Sequence, residues 1–121
     1  MKDGRQVRVV LIAQAREEFE RLNQIAGEQQ ARGIGNSEEI QLLKSIKQKI
    51  ELLRQNAMFG ENIPKSLIPK QLEVSNLFRI ELTHFWRMLY TLKGDEIEIV
   101  AFALYIVDHE AYNKIFGYKG R

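Results

Sequence analysis

Residues 76–90 read NLFRIELTHFWRMLY, and this stretch decides the fold. Phe78, Ile80 and Leu82 alternate with Arg79 and Glu81. Beyond Thr83, His84 and Phe85, the alternation resumes with Trp86, Met88 and Tyr90 set against Arg87 and Leu89. Period-two alternation marks strands with one apolar face and one open face. If residues 83–85 form the loop, Leu82 faces Trp86, Ile80 faces Met88 and Phe78 faces Tyr90. All the large apolar side chains then share one side, as register selection requires. A loop one residue shorter would set Ile80 against Arg87 and mix the faces. In the favoured register Glu81 lies opposite Arg87 and Arg79 opposite Leu89. The face expected to be open therefore carries two arginines and a carboxylate. A solvated face with a cross-strand ion pair is the plainest account of those three residues.

Working outward, residues 6–13 (QVRVVLIA) are β-branched and apolar and predict a strand. The near-continuous apolar run suggests an inner strand, or one covered on both faces. From Ala15 the period changes: Phe19, Leu22, Ile25 and Ala26 form a helical stripe, with Glu17, Glu18 and Glu20 early in the helix, where its dipole favours anions. Gly33 to Asn36 breaks the pattern. A second helix begins near Asn36 or Ser37, where Asn36 and Glu39 have the spacing of a capping-box variant. Its stripe is Ile40, Leu43, Ile46, Ile50 and Leu53. Lys44, Lys47, Lys49 and Arg54 occupy its other faces; a solvated surface is the simpler reading, nucleic-acid contact the other. Together the helices predict a hairpin laid on the sheet.

Residues 56–72 contain both prolines, Pro64 and Pro69, and read as a partly stiffened loop. Lys65 and Lys70 each follow a proline and can reach the rim of the open sheet face. Residues 93–95 form a turn, and residues 96–107 a long final strand whose apolar end suggests a central position. Asp108 predicts the N-cap of a short helix running from His109 to about Phe116. The tail, residues 117–121, is expected to be mobile. No internal repeat or second domain is visible, so the expectation is one α+β domain over residues 1–121.

The chain has 121 residues, 45% hydrophobic and 28% charged, enough for one modest core. It has no cysteine, which excludes disulfides and thiolate metal sites. His84 and His109 alone do not make a zinc site, so no metal and no cofactor are expected. No apolar run approaches the roughly 20 residues of a membrane helix. The N-terminus lacks a signal-peptide cleavage pattern. The expected localisation is therefore cytoplasmic, with no membrane association. A net charge of +2 is too weak to establish nucleic-acid binding.

The predicted order is strand, helical hairpin, loop, three-stranded antiparallel meander joined by the first strand, and terminal helix. With FRIELTHFWRMLYTL at 78–92 and VDHEAYNKIF at 107–116, it resembles the RelE/ParE toxin superfamily of type II toxin–antitoxin systems. The resemblance covers most of the chain and is strongest over residues 77–116. It implies a RelE-like fold, an antitoxin partner and, in the RelE branch, ribosome-dependent cleavage of mRNA in the A site. There the RNA's own 2′-hydroxyl attacks the adjacent phosphate, which needs a cation, a base and an acid. Arg87 matches the family arginine on this strand, and Arg79 the basic position on the strand before it. His109 and Tyr112 match the region after the last strand where relatives place a histidine or tyrosine, and their spacing puts them on one helix face. Glu81 departs from the basic residue common in RelE-like members, although some relatives use a glutamate base. The implied catalytic set is thus Arg87, His109, Tyr112 and Glu81, with Lys65, Lys70 and Arg79 binding RNA. The alternative is a non-enzymatic protein of the same fold: a ParE-like gyrase inhibitor, or a decayed toxin that only binds its antitoxin. A third reading is an unrelated α+β interaction module. Oligomeric state is left open.

Overall fold

The computed structural model describes residues 4–118. In chain order the elements are β1 (Gln6–Leu11), α1 (Ala13–Ala31), α2 (Glu38–Gln55), β2 (Glu61–Asn62), β3 (Phe78–Glu81), β4 (Arg87–Gly94), β5 (Glu98–Val107) and α3 (His109–Phe116). The β3–β4 hairpin adopts the register that the apolar alternation requires: Phe78 pairs with Tyr90, Arg79 with Leu89, Ile80 with Met88 and Glu81 with Arg87. The Leu82 amide donates to the Trp86 carbonyl at 2.8 Å, closing the loop at the expected residues. The strands form one five-stranded sheet in the order β1-β5-β4-β3-β2. β4 is central, and β5 lies between it and β1.

β1 is parallel to β5 and forms an edge of the sheet, not an inner strand as its apolar run suggested. The run is explained by α1 and α2, which cover one face of β1: Val9 and Leu11 pack into the main core. α1 starts at Ala13, two residues before the sequence pattern suggested. The Gln14 side chain holds this start against β5, donating to the Ile106 carbonyl at 3.0 Å and accepting from the Ile106 amide at 2.8 Å. The earlier start leaves no acidic residue in the first turn; Glu18 and Glu20 instead pair along the helix with Arg21 and Arg16. α2 is capped by Ser37, not Asn36, its hydroxyl accepting from the Ile40 amide at 3.1 Å.

The main core joins Leu22, Ile40, Ile46 and Leu53 of the helical hairpin to Ile80, Met88, Tyr90 and Ile106 of the sheet. The opposite face, expected to be open, is covered. Leu77, Leu89, Val107 and Tyr112 form a second core, with Ile63, Ile68 and Leu72 from the segment between β2 and β3 and Ile115 and Phe116 from α3. A β-bulge between Leu89 and Tyr90 shifts the β4–β5 register, leaving Leu104 as an extra residue on β5. Asn76 anchors the approach to β3: its amide donates to the Leu92 carbonyl at 3.0 Å and accepts from the Leu92 amide at 2.8 Å. Of the tail, Gly117 and Tyr118 are held: the Tyr118 amide donates to the Asn113 carbonyl at 2.8 Å and its ring stacks on Phe116. The rest of the tail, expected to be mobile, lies outside the described residues, as do the first three residues.

Candidate functional site

The second core carries a polar cluster at its edge, built from β3, β4 and α3. Sheet geometry places Glu81 opposite Arg87, and the Glu81 carboxylate lies 3.8 Å from Arg87 Nε. Asp108 begins α3 by accepting from the Ala111 amide at 2.9 Å, which sets His109 in the first turn and Tyr112 one turn on. Both then face the arginines. The Arg87 guanidinium carbon lies 4.7 Å from the centre of the Tyr112 ring, a cation–π contact. Arg79 donates to the Tyr112 hydroxyl at 3.1 Å and pairs with Glu61 of β2. An Arg87 nitrogen lies 3.3 Å from His109 Nδ1. Arginine can only donate, so Nδ1 accepts and this geometry places a ring proton on Nε2. The Asn113 amide nitrogen lies 3.4 Å from that Nε2; the amide turned end for end sets its oxygen there as the acceptor of the Nε2 proton.

Burial separates the roles within the cluster. Tyr112 is buried and His109 exposed. The Arg87 side chain is 15% exposed, whereas that of Glu81 is 63% exposed. Arg79 holds its proton more tightly than an ordinary arginine: burial pulls the other way but is outweighed by its bonds to Glu61 and Tyr112. Among the described residues, the buried side-chain nitrogens without a hydrogen bond are Nε of Arg79 and Nε of Arg87. Each guanidinium is thus satisfied at its tip and left short at its stem. A buried donor without a partner costs about 1–3 kcal/mol.

Five of the seven candidate residues meet here: Arg87, His109, Tyr112, Glu81 and Arg79. Lys65 and Lys70 do not join them; they line a separate shallow depression with Ile68, Pro69, Val74 and Ser75. The prolines that stiffen this loop fold it over the second core, through Ile68, and leave both lysines exposed. Glu61 belongs to the cluster and was not legible beforehand, because a strand of two residues has no period to read. Its placement depends on Gly60, where a β-carbon would lie 2.7 Å from the Tyr90 ring and 3.1 Å from the Arg79 carbonyl oxygen.

The model of the ParE-like toxin domain family matches residues 53–114, just over half of the chain, spanning the end of α2, the whole β2–β5 meander and most of α3. The chain belongs to this family, and so to the RelE/ParE toxin superfamily. No curated protein and no solved structure matches it. A toxin domain of this kind implies an antitoxin partner. Among the described residues no helix is long and apolar enough to cross a membrane.

Proposed function

We propose that this toxin is a ribosome-dependent mRNA endonuclease of the RelE type, acting on the phosphate that Arg87 would grip. The observation that carries the reading is the flanking of one cation by a carboxylate and an imidazole: Glu81 at 3.8 Å and His109 at 3.3 Å from Arg87. Cleavage by an internal 2′-hydroxyl needs those three functions around one phosphate. Exposed Glu81 takes the proton of the 2′-hydroxyl as its oxygen bonds to phosphorus. Once the Arg87 guanidinium turns from His109 to the phosphate, Nδ1 is free to take up a proton, and the imidazolium returns the Nε2 proton to the departing 5′-oxygen, leaving a 2′,3′-cyclic phosphate and a free 5′-hydroxyl. Arg87 and Arg79 balance the charge gathering on the phosphate oxygens; a guanidinium fork matches two of them at once. Tyr112 orients both arginines through its ring and hydroxyl. The antitoxin, on this reading, silences the toxin by covering the arginine face or displacing α3.

A second reading has its own support. Both guanidinium groups are already engaged by carboxylates, Arg79 by Glu61 and Arg87 by Glu81, and both lie against Tyr112. That arrangement suits a protein that binds without catalysis, such as a ParE-like gyrase inhibitor. The purified protein added to a translating extract separates the two. The endonuclease reading expects mRNA cut within A-site codons and unaltered gyrase supercoiling; intact mRNA with inhibited supercoiling would reverse the choice.

A further inference from the structure

A groove runs between α2 and the β3–β4 hairpin, lined by Lys44, Gln48 and Lys49 on one side and by Glu81 and Thr83 on the other. Glu81 belongs also to the arginine cluster, so the groove leads directly away from Arg87. The arginines of the helical hairpin that pair with carboxylates are Arg16, Arg21 and Arg54; Lys44 and Lys49 make no ion pair among the described residues. Glu81 is the one carboxylate on the groove wall. The groove thus keeps free positive charge and adds amide and hydroxyl groups that can meet phosphate and sugar.

A second observation lies at the tip of the hairpin. His84 and Phe85 both hold left-handed backbone, with φ of 59° and 63°. Such conformations cost about 1–3 kcal/mol at non-glycine residues and persist only where neighbours enforce them. Here α2 enforces them: the Thr83 amide donates to the Ser45 hydroxyl at 3.2 Å, and His84 Nε2 lies 2.8 Å from Gln41 Oε1. The result is a phenyl ring, that of Phe85, left 77% exposed while Trp86 beside it is half-buried. Hydrophobic burial would favour covering that ring. An exposed aromatic ring two residues along a clamped turn from Thr83, which lines the groove of free lysines, matches how proteins hold single strands: cations follow the backbone and a ring stacks on a base.

We infer that this groove binds the single-stranded RNA flanking the reacting phosphate, with Lys44 and Lys49 on its phosphates and Phe85 stacking on one base. The inference rests on the endonuclease reading for its choice of RNA, and it names the path of the substrate outside the catalytic cluster. The test is fluorescence anisotropy of a labelled single-stranded RNA of about twelve nucleotides, titrated with the full chain over a range of salt, without ribosomes. The parent binds. Phe85→Ala weakens binding by about 5- to 150-fold. The double variant Lys44→Gln, Lys49→Gln weakens it and lowers the slope of log K against log salt by about 1.4, from roughly 0.7 per lost phosphate contact. All three side chains are at least partly exposed, and circular dichroism confirms that the variants fold. A parent that ignores the RNA, or binds a poly-glutamate peptide in its place, overturns the inference, as do variants that bind RNA as the parent does. A parent that binds RNA through these residues but never cuts mRNA upholds the groove and refutes the endonuclease reading, so the two failures are distinct.

Discussion

Tyr90→Phe removes one oxygen atom from the centre of the fold. Tyr90 is fully buried, and its hydroxyl donates to the Ala57 carbonyl at 2.8 Å and accepts from the Gly60 amide at 2.9 Å. Both bonds reach into the segment that delivers Glu61 to Arg79. The phenylalanine ring fills the same space, so there is no cavity term. What is lost is the pairing of two backbone groups, one of them in buried Ala57. A buried group left unpaired costs about 1–3 kcal/mol; Gly60 is less enclosed, so the sum should fall near 2–3 kcal/mol. For a chain of this size that lowers Tm by about 6–15 °C. The same hydroxyl makes a pH prediction. Burial raises the Tyr90 phenol to about 12, although the Gly60 amide bond draws it down slightly. The unfolded phenol ionises near 10, so above that pH the unfolded chain releases a proton that the folded one keeps. The stabilisation is complete below pH about 10 and disappears as pH rises through about 12, a change of roughly 3 kcal/mol at 1.36 per unit. Lysine titration affects parent and variant alike and cancels in their difference. Urea unfolding of both proteins between pH 8 and 12 gives that difference directly. A parent advantage that stays constant up to pH 12 would refute the account of Tyr90.

Other substitutions test other parts of the structure. Gly60→Ala forces a β-carbon to within 2.7 Å of the Tyr90 ring and 3.1 Å of the Arg79 carbonyl; it should cost about 1–3 kcal/mol as an overpacking defect, read by thermal melting. Asn76→Ala removes the amide that brackets Leu92 and accepts from the Thr91 hydroxyl, and should cost about 2–4 kcal/mol in denaturant titration; under 1 kcal/mol would mean water replaces it. Asp108→Ala deletes the cap of α3, which should cost about 0.5–2 kcal/mol and raise amide exchange in that helix before the rest of the fold. His109→Ala, at an exposed position, should leave Tm within a degree or two while lowering mRNA cleavage by about 10²–10⁴.

The hairpin register was legible because its two faces differ so sharply in chemistry: only one pairing puts Phe78, Ile80, Met88 and Tyr90 together. The cap of α3 at Asp108 was legible for a local reason, one side chain meeting one amide. The position of β1 was not, since an apolar strand covered by helices at a sheet edge reads like an inner strand. Nor was the covering of the arginine face. It depends on Ile63, Ile68 and Leu72 folding back across the sheet, and an irregular segment carries no period to announce that. The meeting of Arg87, His109, Tyr112, Glu81 and Arg79 followed from strand pairing, helix periodicity and family resemblance together. Glu61 escaped all three, because its place is set by the tight contact of Gly60 with Tyr90.

The central claim is that Arg87 serves a reacting phosphate. Arg87→Gln removes the charge but keeps a polar side chain. The cation–π contact with Tyr112 is worth about 1–2 kcal/mol, and the glutamine amide takes the place of the buried Nε, so stability should fall by no more than about 2 kcal/mol. Cleavage should fall by about 10²–10³, as when a preorganised transition-state donor is removed. The decisive measurement is the rate of A-site mRNA cleavage by parent and Arg87→Gln protein in the same translating extract, with Tm measured on the same samples. The account predicts a parent that cuts and a folded variant that does not; a parent that leaves mRNA intact, or a variant that cuts at the parent rate, contradicts it.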